Sequence, residues 1–150
     1  MYAPLITGEI VSSLIGRDLI STAIHDVSSK IYNILTLNIY NNYPEIKSLF
    51  ETLDIKAKIS ILNKLISELD DKKENESVHL CLNYLHQTID KIHDLIDSIN
   101  KELEMHSKRY FYYWRYPNCY SDMDKLKLQS NILDKRTEML STILSVKHNI

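Results

Sequence analysis

The chain has 150 residues, enough for one domain with a real apolar core and too many to need a metal or disulfide staple. Eighteen basic against twenty acidic residues leave a formal charge of −2, which excludes the basic footprint of a protein built around nucleic acid. Two glycines and three prolines are the punctuation of an almost wholly helical chain, so the fold class expected is all-α.

A first helix is predicted over about residues 8–40. Ile20, Ile24, Val27, Ile31 and Ile34 fall on one stripe, with Gly16-Arg17 interrupting it. No basic region followed by an apolar core opens the chain, and no run approaches 18 apolar residues, so neither a secretory signal nor a membrane span is expected. Asn41-Asn42-Tyr43-Pro44 stops the helix, because asparagine tolerates turns and the residue before proline avoids the helical region.

A second helix is predicted over residues 44–70, starting at Pro44, where a missing N–H costs nothing. Ile46, Phe50 and Leu53 form one short stripe, and Ile55, Ile59, Leu62, Ile66 and Leu69 form another. A kink or fresh start near Asp54 reconciles them. Residues 70–77 are polar and aperiodic and read as a loop, with Asn75 or Ser77 capping the next helix.

The third helix is predicted over residues 77–115 and carries the strongest signal in the chain. Val78, Leu82, Leu85, Ile89, Ile92, Ile96, Ile99, Leu103, His106, Tyr110 and Tyr113 alternate steps of four and three, which is a heptad seam that needs another helix against it. Tyr116-Pro117-Asn118-Cys119 ends it. A fourth helix is predicted over residues 121–147, capped by Ser121 or Asp122 and carrying Met123, Leu126, Leu133, Leu140 and Leu144.

Short connections imply antiparallel neighbours, so the expected architecture is an up-down four-helix bundle built on the long third helix, one domain over residues 1–150. Folding the second helix on the third about residues 73–74 sets Leu69 by Val78, Leu62 by Leu85 and Ile55 by Ile92. Folding the third on the fourth about residue 118 sets Leu133 by Leu103 and Leu140 by Ile96, again apolar on apolar.

Chemistry is sparse. His79, His86 and His93 lie seven apart beside the seam, roughly 10.5 Å between neighbours, too far for successive histidines to share one metal. Asp90 could join His86 or His93 as a ligand only if a second helix added more, and no clear counterpart exists, so the stripe reads as a solvated flank with local His–Asp contacts. His106 stands in the seam and reads as a register-fixing polar core residue that could make assembly pH-sensitive. There is no phosphate-cradling glycine loop, nucleophile elbow or His-Glu-x-x-His motif, and Cys119 has no histidine close in sequence to activate it. No catalytic residues, metal or cofactor are expected, and the chain reads as no enzyme. Cys81 and Cys119 suit a reducing compartment as free thiols, which together with the absent signal points to the cytoplasm.

The aromatic end of the third helix is the functional candidate. Tyr110 and Tyr113 continue the seam as core, but Phe111, Tyr112, Trp114, Tyr116 and Tyr120 point in several directions, with Lys108, Arg109 and Arg115 interleaved. Tyrosine, tryptophan and arginine together compose interface hot spots, which predicts docking to a protein partner or self-association through this tip and through helix packing. Intramolecular capping of the bundle end is the competing structural reading. The alternative function is a small helical regulator or nucleic-acid accessory protein that stacks bases on the same rings, although three charges make a narrow basic groove.

The run Tyr113-Trp114-Arg115-Tyr116-Pro117-Asn118-Cys119, followed by Ile132-Leu133-Asp134-Lys135-Arg136, resembles uncharacterised helical proteins encoded by large DNA viruses. The resemblance lies in the second half of the chain. Abundant isoleucine, asparagine, lysine and tyrosine match the coding bias of an AT-rich genome. That resemblance implies a virion component or a factor acting in the host cytoplasm, not a metabolic enzyme.

Overall fold

The computed structural model describes residues 42–69, 76–108 and 117–148, the side chains of Lys147 and His148 excepted, together with Thr22, His25, Asp26 and Ser29. Every secondary-structure element among these residues is helical: α1 (Pro44–Leu53), α2 (Ile55–Ser67), α3 (Glu76–Lys108) and α4 (Tyr120–His148), with a short 3-10 contact at Asn42. The predicted first helix lies largely outside the described residues. Its four described positions are helical and exposed.

Pro44 opens α1 as its first residue, and the carbonyl of Tyr43 accepts the first helical bonds, from the N–H groups of Ile46 and Lys47 at 3.2 and 3.1 Å. Asp54 ends α1 in the left-handed region, at φ 47 and ψ 45, while its N–H still reaches the carbonyl of Phe50. Its own carbonyl then accepts the N–H of Lys58, so one residue closes α1 and starts α2. A left-handed residue rotates the helical path, and the buried set changes from Ile46, Leu49 and Phe50 to Ile55, Ile59, Leu62 and Ile66. α2 ends at Ser67, short of residue 70, and Leu69 folds back into the core beyond it.

α3 is 33 residues long, about 50 Å at 1.5 Å per residue, with neither glycine nor proline to interrupt it. Nine residues of its predicted seam, from Val78 to His106, are buried, and Cys81 and Thr88 join them. The remainder of the predicted third helix, 109–115, lies outside the described residues.

α4 packs along α3 and also against α1 and α2. Arg136 donates to the Tyr84 carbonyl at 2.7 Å and to the Thr88 hydroxyl at 2.5 Å, Ser98 donates to the Asp122 carboxylate at 2.7 Å, and the Asn118 N–H reaches the Glu102 carboxylate at 3.0 Å. Residue numbers fall along α3 as they rise along α4, so the two helices are antiparallel. α4 is also tied to α2 by Lys58, which reaches the hydroxyl of buried Ser130 at 2.7 Å and the carboxylate of Asp134 at 2.9 Å.

These bonds correct the expected register of the last two helices. They put Leu133 at the level of Ile89 and Leu140 at the level of Leu82, not beside Leu103 and Ile96. The slip amounts to two heptads, about 21 Å along α3. Its cause is the repeat itself: a seam with a seven-residue period matches its partner again after any whole number of heptads, so coincidence of stripes cannot choose among them. For the second and third helices, the described contact is Tyr43 with His106, two residues from the partner that the expected fold-back assigns to Tyr43.

Candidate functional site

The functional candidate is the end of the molecule where α3 stops and α4 starts. Two side chains of α3 hold that end together. Glu102 accepts the N–H of Asn118, two residues ahead of α4, and its negative charge suits a position beside a helix N-terminus. Ser98, one turn earlier, donates to Asp122 in the first turn of α4. The carbonyl of Cys119 accepts the first helical bond of α4, from Met123 at 2.9 Å, so α4 starts at Tyr120, and Asp122 serves as a tie to α3 instead of the expected cap.

Under this end lies a buried polar contact. The hydroxyl of Tyr43 and Nδ1 of His106 share a hydrogen bond at 2.6 Å, with the rings edge to face at 5.4 Å between centroids. Both residues are buried, and His106 is 2% exposed. Sequence periodicity marks His106 as a polar seam residue but carries no sign of Tyr43, which sits 63 positions away. Beside this pair an apolar cavity of about 160 Å³ is lined by Tyr43, Pro44, Ile46, Pro117, Cys119, Tyr120 and Met123, together with Asn42 and Glu45.

Of the predicted tip, the described residues include Lys108 and Tyr120. Lys108 is exposed in the last turn of α3, and Tyr120 is 49% exposed in the first turn of α4. Arg109, Phe111, Tyr112, Trp114, Arg115 and Tyr116 lie outside the described residues, as do Tyr110 and Tyr113.

His86 approaches Asp90 at 3.5 Å and His93 approaches Asp94 at 3.4 Å, each pair within α3 and partly exposed. Among the described residues no group of three or more histidine, cysteine, aspartate or glutamate side chains could hold a metal ion. Cys81 and Cys119 are free and buried. Burial pushes the Cys119 thiol up to about 11, with the nearby carboxylates of Glu102, Asp122 and Glu45 adding to the effect, and burial alone raises Cys81. Both are therefore protonated at neutral pH, the opposite of an activated nucleophile. Sequence reasoning also missed Arg136. It clamps α4 to α3 through two hydrogen bonds and lies over the Tyr84 ring at 5.0 Å, and it shows in sequence only as one more charge.

With this geometry established, comparison with known proteins adds one relation. The chain is similar to an uncharacterised protein of Acanthamoeba polyphaga mimivirus, 26% identical over 167 aligned positions that take in 93% of this chain and 78% of that protein. The viral likeness thus extends well beyond the second half of the chain. No family model matches it. No solved structure matches it. Among the described residues no helix is long and apolar enough to cross a membrane.

Proposed function

We propose that the chain is a non-enzymatic assembly or interaction module: one domain, an antiparallel up-down bundle of four helices built on the heptad-patterned α3. It binds a protein partner or itself through helix packing and through the aromatic, basic segment between α3 and α4. The observation that carries this reading is the exposure of Tyr120 at 49%, on the same end of the molecule as exposed Lys108. The two points where that segment leaves the helices are both open to solvent. A half-exposed tyrosine beside a run containing Trp114, Arg115 and Tyr116 has the amphipathic composition that anchors interfaces.

Protonated, buried thiols and histidines engaged with neighbouring aspartates or with Tyr43 support a scaffold in preference to a catalyst. Similarity to a mimivirus protein supports a place in a virion or in the host cytoplasm.

Affinity capture from the native source with the unaltered chain, and with Tyr112→Ala and Trp114→Ala, tests the reading. A protein partner should be lost in the variants while circular dichroism shows unchanged helicity. Loss of helicity would instead mean that these rings cap the bundle. Salt separates a protein partner from a polynucleotide, because phosphate contacts weaken steeply as salt rises and aromatic protein contacts do not. Captured nucleic acid released by moderate salt would replace this reading with an accessory role on a polynucleotide.

A further inference from the structure

α4 carries a second apolar stripe that α1, α2 and α3 leave uncovered. Its inner face buries Met123, Leu126, Leu133 and Leu140. On the opposite face Leu128, Ile132, Lys135, Met139, Thr142 and Val146 follow alternating steps of four and three, a second seam about 27 Å long. Leu128, Met139 and Val146 are each 55 to 56% exposed, and Ile132 is partly so. Leu80 and Tyr84 of α3 extend the surface, forming an open groove with Met139 and Ile143. A helix apolar on two faces is built to be covered on both.

Charge indicates what covers it. Lys135 stands in the middle of the stripe and Glu138 stands on its flank, on the side away from Arg136 and α3. Among the described residues neither side chain is in an ion pair, whereas the adjacent Asp134 is taken by Lys58. Within one helix a lysine three residues before a glutamate is the less favourable order for pairing. Across two antiparallel copies of α4 the arrangement is complementary. A two-fold axis near residue 137 puts Leu128 opposite Val146 and Ile132 opposite Thr142. Flanks of the same side then face each other, so Lys135 of each copy meets Glu138 of the other. The pattern is self-complementary, as a two-fold interface requires, and a lysine inside a seam fixes its register.

From this we propose that the chain forms a homodimer in which α4 packs antiparallel on α4 of a second copy, burying Leu128, Ile132, Met139 and Val146 and pairing Lys135 with Glu138 twice across the axis. This rests on reading the protein as an assembly module but not on the aromatic segment.

Sedimentation equilibrium of the full chain over a concentration series tests it. A reversible dimer is expected. Met139→Glu, a change at an exposed position, should raise the dissociation constant on the order of a hundredfold without altering helicity, because two carboxylates would enter an apolar contact. Lys135→Glu should weaken the dimer on the order of tenfold, since it sets like charges together twice. The double variant Lys135→Glu/Glu138→Lys should restore it. A monomer at every concentration, or a dimer indifferent to Met139→Glu, overturns the proposal; a double variant no better than the single overturns the antiparallel pairing. Trp114→Ala should leave this dimer intact. If it abolishes dimerisation, self-association runs through the aromatic segment and the α4 interface is wrong. If the dimer persists but partner capture never depends on Trp114, the tip reading fails and the α4 interface stands.

Discussion

The hydroxyl of Tyr43, just ahead of α1, is hydrogen-bonded to Nδ1 of His106 in the last turn of α3 at 2.6 Å, inside the core. This bond fastens the start of the α1–α2 segment to the end of α3. Tyr43→Phe keeps the ring and removes the hydroxyl, so a buried ring nitrogen loses its phenolic partner, at a cost of about 1 to 3 kcal/mol. His106→Leu in the same background removes that ring nitrogen as well. Urea denaturation should show the double variant more stable than Tyr43→Phe alone, and a simple addition of the two losses would show that the pair is not coupled.

The register of α4 on α3 is directly measurable. Asn131 and Lys91 are exposed and share a level in the register set by Arg136 and Ser98, whereas the two-heptad alternative pairs the level of Asn131 with exposed Met105. Spin labels at Asn131 and Lys91 should lie closer than labels at Asn131 and Met105, the second pair being offset by about 21 Å along the helix. The reverse order of distances would restore the register expected from stripe matching.

The range of each signal decides how much of the fold a sequence can convey. Seam positions such as Ile89 and Ile96 are legible because each is one of many side chains obeying one period, and all those from Val78 to His106 are buried. The shift of stripe at Asp54 is legible for the same reason, since the backbone turn there rotates every later position of the segment. Register is not, because periodic stripes match at several offsets, and the features that select one offset are single polar contacts such as Arg136 with Thr88. Tyr43 is likewise invisible as a partner of His106, because nothing local distinguishes one tyrosine among ten. At the candidate site, composition alone draws attention to Tyr120 and Lys108, but the ties that position them, Glu102 with Asn118 and Ser98 with Asp122, are single contacts of the same kind.

Asp54 offers a stabilising substitution. Its φ of 47 is unfavourable for a residue with a Cβ, although aspartate bears it better than most. Its side chain makes no capping bond. Asp54→Gly should therefore stabilise the fold by up to about 1 kcal/mol, the relief of left-handed strain being partly offset by the greater freedom of glycine in the unfolded chain. Asp54→Ile, β-branched at the same φ, should destabilise it. Thermal melts of the two variants should shift in opposite directions. Equal losses in both would mean that the carboxylate itself holds the turn.

Cys119 joins the candidate site to the pH behaviour of the chain. Burial, with Glu102, Asp122 and Glu45 nearby, holds its thiol up to about 11, against an ordinary value of 9.0. A raised value in the folded state means that the folded chain keeps a proton which the unfolded chain releases. The contribution is therefore fully present below pH 9 and is lost as pH rises through about 11. Cys119→Ala should flatten the alkaline fall in stability across that window relative to the unaltered chain, a comparison that cancels the lysines and tyrosines titrating there too. Thiol labelling gives a second measure. At neutral pH Cys119 should react far more slowly than a free thiol, at a rate set by opening of the helix end, and Glu102→Ala should speed it by loosening the start of α4. Prompt labelling of the unaltered chain, with no dependence on Glu102, would mean that the end of the bundle stands open around Cys119.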